Sequence, residues 1–277
     1  MHWLFTGRLK VDKITVKIAG LPASLQGKKL VQLSDFHYDG IRLSEAMLAD
    51  AIAITNEIEP DLILLTGDYV TDDPAPIYQL VLRLKNLYSY SGIYAVLGNH
   101  DIYYSHSKAE VTNALTSIGV HVLWNEIAYP LGKELPIVGL ADYWSQEFDP
   151  NFVMNQLNPV TPRIVLSHNP DTAKILQKWR VDLQLSGHTH GGHIVIPGLG
   201  PAVLYYKKLL KRFPKKLRCR LSLLCGGDRS KVVRYWEWAQ GFHKIAENQL
   251  YVNRGLGTYR PGRLFCPPEV TVITLTN

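Results

Sequence analysis

The feature that most limits what this chain can become is a series of short apolar runs that give way to the same few polar residues. The runs are KITVKIA (13–19), KLVQLS (29–34), DLILLTG (61–67), GIYAVLG (92–98), PIVGLA (136–141), RIVLSH (163–168) and VDLQLSG (181–187). Several are apolar without interruption, as strands buried on both faces are. Helical segments separate the early ones. Ser44 is placed to cap EAMLADAIAITNEI, which Pro60 ends; IYQLVLRLKNLY follows Pro76, and a third segment spans about 107–118. This β-α-β-α-β order predicts an α/β fold with a mixed or parallel sheet and helices outside it. The second half is richer in strands and includes the alternating EVTVITLT (269–276). No repeat or Pro/Ser linker divides the chain. Residues 1–277 read as a single domain with one inserted segment at about 203–246.

Five runs deliver Asp, Asn or His where they end: Ser34-Asp35-Phe36-His37, Gly67-Asp68, Gly98-Asn99-His100-Asp101, Ser167-His168-Asn169 and Ser186-Gly187-His188-Thr189-His190. In α/β sheets such strand ends form the crevice in which ligands bind. The stretch SGHTHGGH (186–193) does not suit a packed core. Imidazoles are costly to bury without partners, and Gly191 and Gly192 bring no side chain to cover them. Mixed imidazole and carboxylate donors suit Mn, Fe, Zn, Ni or Co, whereas an all-oxygen set suits Mg or Ca. Asp35/His37 and His188/His190 are each two apart, so an extended backbone points both members the same way. Gly67, Gly98 and Gly187 allow tight turns and close backbone approach. Asp68 has two oxygens with which to bridge a pair of ions about 3.5–4 Å apart. One such block alone means little, since caps and turns use the same residues; the five together carry the inference.

The ordered blocks D-x-H, G-D, G-N-H-D, a lone His and G-H-x-H resemble those of the calcineurin-like metallophosphoesterase superfamily. The resemblance implies a four-layer α/β/β/α sandwich. It implies that Asp35, His37, Asp68 and His190 hold one metal and Asp68, Asn99, His168 and His188 the other. The cofactor is then two divalent transition-metal ions, manganese first among the candidates, which activate water for in-line attack on phosphorus. His100 is expected to protonate the leaving oxygen, with Asp101 beside it orienting that imidazole. The tail NRGLGTYRPGRLFCPPEVTVITL is similar to the YkuE- and YaeI-like bacterial phosphodiesterases. His193 departs from that branch and is read as structural, and Asp39 as a turn residue.

Charge adds a partner. The chain has 30 basic and 24 acidic residues, a formal net charge of +6. Eight of the basic residues fall in YYKKLLKRFPKKLRCR (205–220), and without them the balance is 22 to 24. The excess is therefore local and speaks for one segment. Lys207, Lys208, Lys211, Arg212, Lys215 and Lys216 are interleaved with leucines, as in segments that lie on an anionic membrane surface. The segment is read as a cap that contacts substrate or membrane. Enzymes of the branch resemble a UDP-2,3-diacylglucosamine pyrophosphatase of lipid A synthesis. The expected substrate is accordingly a phosphate ester or pyrophosphate, lipid-linked or close to a membrane. A metal-dependent nuclease binding nucleic acid through the same basic run, or a broad-specificity phosphodiesterase, is the alternative, and a non-catalytic scaffold ranks last because no ligand is missing. Three cysteines without a C-x-x-C pair, no secretion-type leader and no long apolar span suggest a cytoplasmic protein, peripheral on the inner membrane face.

Overall fold

The computed structural model describes residues 6–205, 232–260 and 262–277. The six lysines and arginines named above, with Cys219 and Cys225, lie outside the described residues.

Fourteen strands are described: β1 (Lys10–Lys17), β2 (Lys29–Leu33), β3 (Leu62–Leu65), β4 (Ile93–Ala95), β5 (Val120–Val122), β6 (Glu126–Ala128), β7 (Ile137–Gly139), β8 (Ile164–Leu166), β9 (Leu183–Ser186), β10 (Val195–Ile196), β11 (Gly200–Pro201), β12 (Gly241–Ile245), β13 (Asn248–Val252) and β14 (Glu269–Thr276). The helices are α1 (Glu45–Glu57), α2 (Ile77–Leu84), α3 (Ser107–Ser117), α4 (Pro150–Met154) and α5 (Ala173–Leu176). Ser44 caps α1 as expected, its side chain accepting the Met47 N–H at 3.2 Å.

Two six-stranded sheets result, ordered β1-β14-β2-β3-β4-β5 and β12-β13-β9-β8-β7-β6. In the first, β2 to β5 run parallel, while β14 pairs parallel with β1 and antiparallel with β2. In the second, β13, β9, β8 and β7 run parallel between two antiparallel edges. Gly241–Ile245, within the segment read as inserted, is one of those edges.

Successive strand residues face opposite sides, which is why the apolar runs are continuous. Leu30, Leu62 and Leu64 of the first sheet pack between the sheets with Ile137, Ile164, Leu166, Leu183 and Leu185 of the second. Their alternates Val31, Leu33, Ile63 and Leu65 pack outward against Leu48, Leu80 and Val111 of α1, α2 and α3. On the far side Val138 and Val165 pack under Val153, Met154 and Leu176 of α4 and α5. The layers are α/β/β/α, the predicted sandwich. Near its upper edge Gln32 joins the two sheets, donating to Thr66 Oγ1 at 2.9 Å and to the Ser186 carbonyl at 3.0 Å. No helix among the described residues is long and apolar enough to cross a membrane.

Candidate dimetal centre

β2, β3 and β4 of one sheet and β8 and β9 of the other release their chains at one end of the sandwich. Backbone hydrogen bonds lace the loops together: Asp35 N–H to the Gly67 carbonyl (2.9 Å), His37 N–H to Asp68 (3.0 Å) and Gly187 N–H to His168 (3.0 Å). The doublets Asp35/His37 and His188/His190 are not on extended backbone, contrary to the sequence reading. Their strands stop at Leu33 and Ser186, and all four residues have positive φ: 52°, 44°, 70° and 49°. Asp68 does too, at 57°. Left-handed backbone at non-glycine residues is sparsely populated and persists where surrounding contacts over-determine it, typically at functional sites. Close approach is the role of two glycines. A Cβ on Gly98 would stand 2.2 Å from Asp68 Oδ1, and one on Gly187 would stand 2.0 Å from Ser34 Oγ and 2.2 Å from Asp35 Oδ2.

The donor atoms converge in two groups that share one oxygen. Asp35 Oδ1 lies 3.4 Å from His190 Nε2, and His190 Nε2 lies 3.0 Å from His37 Nε2. His168 Nε2 lies 3.2 Å from His188 Nδ1. Asp68 Oδ2 stands 3.4 Å from His37 Nε2 and 3.1 Å from His168 Nε2, joining the groups. Asp68 Oδ1 is taken separately, by the His100 N–H at 3.0 Å. Ligand atoms about 2.1 Å from one ion, at angles between octahedral and tetrahedral, are about 3.0–3.4 Å apart. The observed spacings fit a divalent ion in each group. The Oδ1 of Asn99 is buried and accepts no hydrogen bond, a polar atom that a bound cation would satisfy.

Each imidazole uses its other nitrogen for support. His168 Nδ1 meets the Thr66 carbonyl (2.7 Å), His190 Nδ1 that of Gly257 (3.1 Å) and His188 Nε2 that of Val232 (3.2 Å). A carbonyl only accepts, so the supported nitrogen carries a hydrogen and the inward one is the nitrogen that can offer its lone pair to an ion. Charge is unevenly shared. Burial opposes a proton on His168, but Asp68 and Asp35 outweigh it and raise the group to about 10. Burial and the charge of His168 lower His188 to about 3, and burial also lowers His37 and His190. Burial disfavours charge on Asp68, yet His168 and His100 hold it well below the usual carboxylate range.

Asp101 does not orient His100. Its carboxylate accepts the backbone N–H groups of Asp68 and Gly98 (both 2.8 Å), Tyr69 (2.8 Å) and Val70 (3.3 Å). The His100 Nδ1 instead donates to the Thr71 carbonyl at 2.6 Å. His100 stands with Asp68 and His37 in a group whose donor atoms lie within 4.8 Å of one another.

His193 is absent from the metal-type groups among the described residues and stacks on His190, ring centroids 5.0 Å apart. Asp39 is a turn residue as read, accepting from Ile41 and Arg42 N–H, and it also pairs with the Arg42 side chain. Two residues of the tail were given no role by sequence reasoning. Tyr259 Oη lies 3.0 Å from His37 Nδ1. The buried guanidinium of Arg263 gathers the carbonyls of Arg254, Gly255 and Gly257 at 2.8, 3.0 and 2.6 Å. It thereby shapes the loop whose Gly257 carbonyl supports His190.

A shared carboxylate between two imidazole groups, at the strand ends of a four-layer sandwich, defines a dimetal phosphoesterase. Residues 28–192 match the family model described as calcineurin-like phosphoesterase, and the chain belongs to that family. Its members use a pair of divalent metal ions, and this chain is a hydrolase of phosphoric ester bonds. It is 31% identical over 252 residues to phosphodiesterase YaeI of Escherichia coli, covering 89% of this chain and 82% of that protein. It is 28% identical to the UDP-2,3-diacylglucosamine pyrophosphatase LpxG of Chlamydia trachomatis, covering 96% and 88%. A solved dimetal phosphatase from Danio rerio superposes with a TM-score of 0.52 over 84% of this chain and 90% of that one. At 11% identity, that likeness speaks for the fold alone.

Proposed function

We propose that the chain hydrolyses a phosphodiester or pyrophosphate bond in a lipid-linked substrate, with UDP-2,3-diacylglucosamine as the specific candidate. The observation that carries the chemistry is Asp68 Oδ2, placed between His37 Nε2 and His168 Nε2. In this reading Asp35, His37, Asp68 and His190 hold one ion and Asp68, Asn99, His168 and His188 the other, with manganese the candidate metal. The ions supply acidified water and neutralise phosphoryl charge. The protein supplies position. His100, fixed through Nδ1 on Thr71, presents its other nitrogen to the leaving oxygen and gives it a proton. Asp101 holds the backbone around Asp68 and Gly98, so that Asp68 faces both groups without rearranging.

The lipid part of the reading has separate support. Exposed apolar side chains stand on loops beyond the same strand ends: Ile41 after β2, Tyr103 after β4 and Trp144 after β7. The Trp144 ring lies 6.3 Å from that of His188. The likeness to LpxG points the same way, and the basic, leucine-rich sequence 205–220 suits an anionic membrane surface. The test is release of UMP from UDP-2,3-diacylglucosamine by manganese-loaded protein. Turnover that His100→Ala reduces supports the reading. No turnover by protein that still cleaves a chromogenic phosphodiester removes the substrate and leaves the chemistry.

A further inference from the structure

We propose that Tyr259 is a positioning residue of the metal centre: its phenol oxygen takes the Nδ1 hydrogen of His37 and so keeps Nε2 free for an ion. This rests on the reading of His37 as a ligand. Of the four imidazoles placed on the two ions, three are supported by main-chain carbonyls, those of Thr66, Gly257 and Val232. The fourth, His37, is supported by a side chain, Tyr259 Oη at 3.0 Å from Nδ1. Its Nε2 faces His190 Nε2 at 3.0 Å and Asp68 Oδ2 at 3.4 Å, so Nδ1 is the nitrogen that has to carry the hydrogen when an ion is bound.

The phenol is held in place by its surroundings. Its ring stands edge-on to His37 and His190, with centroids 4.9 and 5.3 Å away. The guanidinium of Arg42 covers it at 4.4 Å from the centroid. Arg42 is itself tied to Asp39 and, at 3.4 Å, to Thr71 Oγ1. A ring packed against imidazoles and under a cation has little freedom to swing away, so the hydroxyl stays at His37. Outer partners of metal-bound histidines fix tautomer and ring orientation, and their loss typically weakens metal binding about 10–100-fold.

Tyr259→Phe removes the oxygen and keeps the ring and its Arg42 contact. Calorimetric titration of the metal-free protein with Mn²⁺ should show one ion bound about 10–100-fold more weakly and the other unchanged. The thermal midpoint without metal should stay near wild type. Nitrogen-15 spectra of Zn²⁺-loaded protein should show the His37 Nδ1 hydrogen in wild type and its loss to fast exchange in Tyr259→Phe. Tyr251→Phe, which removes a buried hydroxyl bonded to Glu269 at 2.5 Å, should leave metal affinity intact. Wild-type affinity for both ions in Tyr259→Phe, while His37→Ala loses one, overturns the role of Tyr259 alone. Wild-type affinity in both variants overturns the ligand assignment of His37 as well.

Discussion

Asp101 holds Asp68 by its main chain: Asp101 Oδ2 accepts the Asp68 N–H at 2.8 Å, and the same oxygen accepts the Gly98 N–H at 2.8 Å. Oδ1 takes the next two N–H groups, of Tyr69 and Val70. Asp101→Ala strands four buried donors, each costing about 1–3 kcal/mol. The variant is expected to melt about 8–16 °C lower or more, the shift that about 4 kcal/mol, the low end for four donors, produces in a chain of this size. Asp101→Asn keeps one accepting oxygen and should fall between. Since Asp101 does not touch the His100 imidazole, whose Nδ1 is held by the Thr71 carbonyl, any loss of phosphodiesterase activity in Asp101→Asn should go with a lowered melting point. Loss of activity at an unchanged melting point would return Asp101 to the orienting role.

Metal uptake should release a proton. With His168 raised to about 10, the metal-free centre carries a proton there at pH 7–9. A cation needs the lone pair and has to displace that proton. Apparent affinity therefore climbs as pH rises toward about 10 and falls on acidification. Calorimetry in two buffers of different ionisation enthalpy measures the release, expected near about one proton per centre. Affinity flat between pH 7 and 9 would contradict it.

Asp68→Ala takes away the oxygen common to both groups. Elemental analysis after Mn²⁺ loading and desalting should find one ion or none where wild type retains two. Cleavage of a chromogenic phosphodiester should drop by at least about a hundredfold. His193→Ala removes a ring that stacks on His190 and stands edge-on to Tyr259, and it should retain both ions. Loss of an ion in that variant would make His193 part of the centre.

Gly187→Ala tests close approach without touching a donor. The added methyl would press on Ser34 Oγ and Asp35 Oδ2, displacing the carboxylate that also accepts the His188 N–H at 2.9 Å. The expectation is loss of the ion held by Asp35, His37 and His190, read by the same elemental analysis, in protein that retains its far-ultraviolet circular dichroism. Gly119→Ala, at a glycine with open space around it but positive φ, should cost some stability and no metal.

The sandwich was legible wherever burial on both faces leaves an unbroken apolar run, as in Leu62–Leu65 and Ile164–Leu166. β12 and β13 were not: GFHKI and NQLYV mix polar and apolar residues, and β13 becomes buried through its pairing with β9. The metal-type residues were legible because five blocks of unusual composition recur at strand ends. The pairing of Asp101 with His100 was misread from adjacency. The two share the turn His100–Ile102, and neighbouring residues in a helical turn point in different directions. Tyr259 left no local trace, because its partner His37 is 222 positions away.

The placement of β14 orders assembly in time. It lies between β1 and β2, with Thr271 opposite Gln32 and Val272 opposite Val31. The strand that leads into Asp35 and His37 thus waits for a neighbour synthesised long after it. Such distant pairings form slowly, since a long loop has to close first. Until that closure the sheet beneath the turns at Asp35 and His37 lacks one of its central strands, and the centre should bind its ions only as a late event in maturation.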